Sequence, residues 1–160
     1  MALTGIERIV RAVTDVLQDG MDAKLAALVL EYDDGIELPP PADGDYYWYR
    51  PTLLPRYPAF IITAMPETAS GKDFAAGYDF AFAFQIDIVV PAADPETAEI
   101  LLWRYWRAVK ELLSPNAIID NATLTLQAVD WNQPVWTPED FSGPVKEIPG
   151  LFTVSTDERA

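Results

Sequence analysis

From Tyr78 to Val90 the chain reads YDFAFAFQIDIVV, and its side chains divide by parity. Tyr78, Phe80, Phe82, Phe84, Ile86, Ile88 and Val90 fall on one side of a period-2 ribbon, and Asp79, Ala81, Ala83, Gln85 and Asp87 on the other. Alternation sustained this far rules out a helical face and predicts a long β-strand with an aromatic side and a small, acidic side. At about 3.3 Å per residue the run reaches about 40 Å, more than a small core requires, so one end is expected to project or to be completed by another chain. Pro91 stops the strand. A helix signal follows at once, with Asp94 as N-cap, Pro95 at the first helical position and Glu96 in the electropositive first turn.

That helix is expected to run to about Leu113, with Ala98, Leu101, Leu102, Tyr105, Ala108, Val109, Leu112 and Leu113 facing inward. Ile100 and Trp103 fall well off this stripe, among Arg107 and Lys110, and Trp106 falls at its edge. A tryptophan on a polar helix face needs cover, either from the chain's own aromatic loop or from a neighbouring subunit.

Upstream, Thr4 and Glu7 form a capping-box pair, and Ile6, Ile9, Val10, Val13 and Leu17 recur at helical spacing. Asp19-Gly20 is expected to end this helix. A second helical segment is expected at Asp22–Leu30, though its Leu-Val-Leu-Glu-Tyr end also suits a strand. Residues 33–58 contain six prolines together with Tyr46, Tyr47, Trp48, Tyr49 and Tyr57. Prolines in that density forbid continuous helix, and so many aromatics need a surface to lie on, within the domain or on a partner. Ala59–Met65 reads as a short buried strand, antiparallel to the long one across a connection at 66–77 that has the composition of a flexible tip. Ala122–Trp131 alternates as a strand. The connection Gln133–Pro149, which carries Trp136, leads to a last strand at Gly150–Thr156.

The whole of 1–160 reads as a single domain with no internal repeat. Half of its residues are apolar, which excludes a disordered composition. Its 25 acidic residues against 11 basic ones give a formal charge of −14, which argues against gripping nucleic acid or anionic lipid. Such a charge serves solubility, or a surface that must not adhere to a passing polyanion. No run of apolar residues approaches the length of a membrane span.

Cysteine and histidine are both absent, which removes thiol chemistry, the commonest general base and the usual zinc ligands. The acidic pairs Asp33-Asp34 and Asp43/Asp45 do not have EF-hand spacing, and neither GMDAK nor SGKD has the flanks of a phosphate-cradling loop. No catalytic residue, metal ligand or cofactor site stands out. A carboxylate-based enzyme and a generic ligand-binding domain remain the rival classes to a structural protein.

The order of elements resembles that of the tail terminator (tail completion) proteins of long-tailed bacteriophages and their relatives among head-to-tail connection proteins. The residues that carry the resemblance are RYPAFIITAMPE (Arg56–Glu67), FAFQIDIVVPAADPETAEILLWRYWRAVKELL (Phe82–Leu113) and LFTVST (Leu151–Thr156). The resemblance implies an α+β fold, a small mixed or antiparallel sheet with about three helices packed mainly on one face. It implies a homo-hexameric ring that caps the tail tube, ends its polymerisation and presents a surface to the head-tail connector or neck, with DNA passing through unbound. The partners it implies are further copies of the chain, the tail tube protein and the neck protein, in a virion assembled in the host cytoplasm. Another neck, head-completion or tail-adaptor ring is the neighbouring reading. In a ring, Trp48, Tyr49, Ile100, Trp103, Trp106 and Trp136 are the candidate subunit or partner contacts. Asp79, Gln85 and Asp87 form a small acidic face that meets solvent, a neighbouring sheet or the channel.

Overall fold

The computed structural model describes residues 6–64, 68–69, 78–91, 94–113, 117–119, 124–128, 135–136 and 145–158. The elements run α1 (Ile6–Tyr32), β1 (Tyr46–Tyr47), β2 (Ala59–Ala64), β3 (Thr68–Ala69), β4 (Tyr78–Pro91), α2 (Pro95–Leu112), β5 (Ala117–Ile119), β6 (Leu124–Ala128), β7 (Val135–Trp136) and β8 (Val145–Glu158). A 3-10 turn at Asp43–Asp45 precedes β1. The main sheet order is β1-β2-β4-β8-β6-β5, with β3 also paired to β4 and β7 to β8. Among the described residues only β1 and β2 run parallel; the remaining described pairs are antiparallel. The fold is therefore α+β on a mixed sheet, with two α-helices where the sequence suggests about three.

The difference lies at Gly20. Rather than ending a helix, it sits inside the 27-residue α1, and the segment Asp22–Leu30 continues it. A Cβ built on Gly20 would lie 2.7 Å from Cδ2 of Leu112, so the glycine serves close approach of α2 rather than a turn. The helix ends twelve residues later, where Asp33 takes a left-handed φ of 46° and its N–H donates to the Val29 carbonyl at 3.1 Å. Its buried stripe is Val10, Val13, Leu17, Met21, Leu25 and Leu28.

Both helices cover one face of the sheet. Phe60 and Ile62 of β2 and Phe84, Ile86, Ile88 and Val90 of β4 join the two helix stripes in a single core. The expected inward residues of α2 all belong to that core or pack against it, and Asp94 and Pro95 begin the helix as expected. The opposite face, with Ala59, Ile61 and Val89, is covered by Leu54, Tyr47 and Tyr57. The proline-rich segment thus wraps the sheet edge. Leu38 enters the helix-side core, β1 pairs with β2, and Leu54 lands on the far side.

Along all 14 of its positions β4 pairs with β8, from Tyr78↔Glu158 to Pro91↔Val145, so the long strand finds its partner within the chain. β8 begins five residues before the expected Gly150 and runs through Pro149. Proline is tolerated there because β6 pairs with Phe152–Thr156 and β7 with Lys146–Glu147, leaving Pro149 without a described partner strand on that side. β5 is an element the sequence reading omits, and the strand expected from Ala122 to Trp131 is described only as Leu124–Ala128. Of the expected tip at 66–77, only Thr68–Ala69 is described, pairing with Phe80–Ala81; the rest, like Thr4, lies outside the described residues.

Candidate functional site

The proline-rich segment builds the most elaborate surface in the described structure. Asp45 in the 3-10 turn is buried, yet its carboxylate is held by Arg56, with Nε at 3.0 Å from Oδ2 and Nη2 at 3.3 Å from Oδ1. Burial of an unpaired carboxylate would be costly, so this pairing fixes the turn. Tyr46 then packs edge-on against Phe60 at 5.5 Å, Phe60 against Tyr105 at 6.1 Å, and the Tyr105 hydroxyl donates to the Pro39 carbonyl at 2.6 Å. Burial pushes the Tyr46 and Tyr105 phenols above their ordinary range, so both stay protonated donors.

Trp48 is half out of this frame. Its indole N–H donates to Thr14 Oγ1 at 2.9 Å, that hydroxyl donates to the Val10 carbonyl at 2.7 Å, and the Arg11 guanidinium lies 4.8 Å from the indole centroid. Gln18 Nε2 reaches the Asp43 carbonyl at 3.3 Å, and Tyr47 and Tyr49 pack edge-on at 6.0 Å. Between the Arg11–Gln18 stretch of α1 and the Asp43–Tyr49 segment lies an open groove of about 500 Å³. Four aromatic side chains line it, with Asp15 and Asp43 beside Arg11. Asp19 and Asp22, also exposed, continue the acidic line along α1. Trp48 is held by two partners before any third body arrives, so the groove is preorganised.

A second surface lies on the helix pair. α1 and α2 run antiparallel and are joined by ion pairs of Lys24 with Glu111 and of Arg107 with Glu31 at 2.9 Å; within α2 Arg107 also pairs with Glu111, and Arg104 reaches Asp34 just past the end of α1. The Tyr32 ring covers Arg104 at 3.9 Å and lies 5.6 Å from Arg107, whose Nη1 also donates to the Tyr32 hydroxyl at 3.0 Å. Hydrogen bonds from Arg104 lower the Asp34 carboxyl to about 2, and those from Lys24 and Arg107 lower Glu111. Trp103, 52% exposed, and Leu30, 81% exposed, stand out from this charged lattice.

The candidate residues separate into distinct environments. Trp48 and Tyr49 lie at the groove, both exposed. Trp103 is exposed on α2, Ile100 is half-buried, and Trp106 is fully buried in the core. Trp136 is in β7 opposite Lys146, and Asp79 is in β4 opposite Asp157; the side chains of both lie outside the described residues. Asp87 is 3% exposed beneath the proline-rich segment, where Arg50 Nη1 lies 3.4 Å from Oδ2 and Gln85 Nε2 donates to Oδ1 at 2.6 Å. Gln85 is half-buried, so the acidic side of β4 is roofed here by the chain itself.

The sequence reading missed the roles of Arg11, Thr14, Arg50 and Arg56. Arg50 and Arg56 reach carboxylates far enough away in the chain that no local spacing marks them. Leu30, off the buried stripe of α1, is an exposed apolar residue that the sequence reading did not single out. Among the described residues no group of three or more acidic, histidine or cysteine side chains is placed to hold a metal, and no helix is long and apolar enough to cross a membrane.

Neither a protein-family model nor a curated protein matches the chain. Solved structures do. One, a protein whose description states no activity, matches with a TM-score of 0.50 at 14% identity, covering 91% of this chain and 96% of its own. Another belongs to the virion of a native gene transfer agent particle, with a TM-score of 0.44 at 17% identity, covering 88% and 93%. At such identities the first likeness speaks to the fold alone: the α+β arrangement recurs over nearly the whole length of both chains.

Proposed function

We propose that this chain is a non-enzymatic structural protein of a phage-like virion, a tail terminator that assembles as a hexameric ring on the end of the tail tube. The ring stops tube growth and offers its other side to the head-tail connector, and DNA crosses it without specific binding. The reading puts the chain in the same broad class of particle as the gene transfer agent match. Its support is the resemblance carried by Arg56–Glu67, Phe82–Leu113 and Leu151–Thr156, together with one structural observation. Among the described residues the two helices and the sheet bury a common core yet leave aromatic sites at Trp48-Tyr49 and at Trp103 exposed. Exposed tryptophan and tyrosine on preorganised surfaces are the anchors from which protein interfaces are built.

Electrostatics favour the same reading. Arg11, Lys24, Arg50, Arg56, Arg104 and Arg107 each pair with a carboxylate of the chain, against a formal charge of −14. Cations so neutralised offer little to displace counterions from DNA, which suits passage rather than retention.

Negative-stain imaging and native mass measurement of the purified protein test the proposal. A six-fold ring with a central opening is the expected assembly, in equilibrium with monomer on dilution. A stable, compact dimer that forms no ring at any concentration sinks it.

A further inference from the structure

We infer that the groove at Trp48 is a docking site for a short segment of another protein that presents an arginine side chain. The inference concerns a single chain and stands whether or not that chain assembles into a ring.

The groove offers both halves of a guanidinium site. Tyr46, Tyr47, Trp48 and Tyr49 line it with ring surface, and Asp15 and Asp43 lie among them. Both acids are exposed and can be reached from outside. Among the described residues neither carboxylate has an ion-pair partner, whereas the buried Asp45 and Asp87 are each held by an arginine. Their field reaches the aromatic lining. Burial first, and then the charges of Asp22 and Asp43, push the Tyr46 phenol upward, the direction a negative surrounding imposes.

Elsewhere the chain shows what fits between a ring and a carboxylate. The Arg104 guanidinium lies 3.9 Å over the Tyr32 ring and pairs with Asp34. That of Arg11 lies 4.8 Å from the Trp48 centroid and pairs with Glu7 at 2.9 Å. In both places a flat guanidinium stacks on an aromatic face and turns its N–H groups to carboxylate oxygens, which a compact ammonium does less well. The groove sets further rings beside two further carboxylates.

Charge complementarity then selects the source. A chain of formal charge −14 gains from a cationic partner in encounter as well as in contact. Its own described cations are already engaged, Arg11, Lys24, Arg50, Arg56, Arg104 and Arg107 in ion pairs and Lys110 in an interaction of its own. The described surface of a second copy therefore brings no uncommitted cation, which favours a different protein. A volume of about 500 Å³ suits a few side chains rather than a folded surface, so the arginine is carried on a short exposed segment.

The test is a titration of the isotope-labelled full chain, diluted until monomeric, with the capped peptide Ala-Ala-Arg-Ala-Ala. NMR follows the Trp48 indole N–H, which donates to Thr14 and is assigned with Trp48→Phe. A saturable shift is expected, with affinity at least about tenfold above that of the same peptide carrying glutamine, as a charge-assisted hydrogen bond confers. Asp15→Asn and Asp43→Asn combined in one chain are expected to remove most of that preference. Both positions are exposed, and circular-dichroism melts check that the variant folds. Added salt should weaken the arginine peptide and leave the glutamine peptide unchanged. No shift with either peptide, equal affinity for both, or an undiminished preference in the variant overturns the inference. A lysine peptide that binds as well as the arginine one overturns the guanidinium assignment. Spermidine binding as tightly as the peptide overturns the protein segment in favour of a free organic cation. Self-association at high concentration that the two asparagine substitutions abolish overturns it in favour of a second copy. Failure of the ring reading alters none of these outcomes.

Discussion

Gly20 and Leu112 meet at the helix crossing so closely that a Cβ on Gly20 would stand 2.7 Å from Leu112 Cδ2. A glycine in a helix interior costs roughly 1 kcal/mol relative to alanine, so the contact is kept against helix propensity. The atom in the way is the far end of the half-buried Leu112 side chain in the last turn of α2, a flexible tip that gives more cheaply than backbone. Gly20→Ala is therefore expected to lie within about 1 kcal/mol of the parent, the propensity gain offsetting the repacking. Gly20→Ile brings a branched side chain and is expected to lose roughly 2–3 kcal/mol. Urea denaturation measures both; a loss for alanine as large as for isoleucine would mean that Leu112 cannot move.

Thr14 ties the groove to the helix, accepting from Trp48 and donating to Val10. Thr14→Val keeps the shape and removes both bonds. A loss of about 1 kcal/mol is expected, typical of a single net hydrogen bond, because the Val10 carbonyl retains its helical partner. Tryptophan fluorescence is the sharper readout. Trp48 should become more mobile, with lower anisotropy in a background where the other four tryptophans, Trp103, Trp106, Trp131 and Trp136, are replaced by Phe. Unchanged anisotropy would show that Arg11 alone positions the indole.

Asp34 and Arg104 provide a pH signature. Hydrogen bonding to Arg104 holds the Asp34 carboxyl at about 2 in the folded chain, below its ordinary 3.8. A group depressed on folding contributes stability that is fully present above the unfolded value and lost as pH falls through the folded one. The contribution is therefore expected to fade between about pH 4 and pH 2, with nothing changing near neutrality. Carboxyl NMR titration checks the midpoint directly. Asp34→Asn should flatten the acid limb of the stability profile over that same window; an identical limb in the variant would assign the acid sensitivity to other carboxylates.

How much of this was legible in the sequence depends on how far apart the decisive residues lie. β4 and α2 could be read because alternation and 3.6-residue spacing are local, and so could the strand pair of β2 and β4. Gly20 could not, because its reason is Leu112, on another helix. Nor could the start of β8 before Pro149, which depends on where β6 and β7 stop. The aromatic content of 33–58 signalled that the segment packs on something. It did not reveal that Leu38 and Leu54 would grip opposite faces of the sheet and leave Trp48 outside. No local spacing marks Arg104 for burial, since its carboxylate partner is seventy residues away in the chain.

Trp103 and Trp106 make the sharpest case, being three residues apart on one helix and both read as interface candidates. A helix lying on a sheet buries a wide arc, and Trp106 falls inside it, packed with Leu102 and Val109 at 0% exposure. Trp103 falls outside it. Trp106→Ala is therefore expected to cost roughly 3–5 kcal/mol in the isolated chain, as for other large-to-small core substitutions. Trp103→Ala is expected to stay within about 0.5 kcal/mol of the parent in the same melt, as exposed positions do, while losing assembly. Thermal denaturation of dilute monomer beside native mass measurement at high concentration separates the two effects. A collapse of monomer stability in the Trp103 variant would make that residue part of the core and remove the main anchor of the proposed ring.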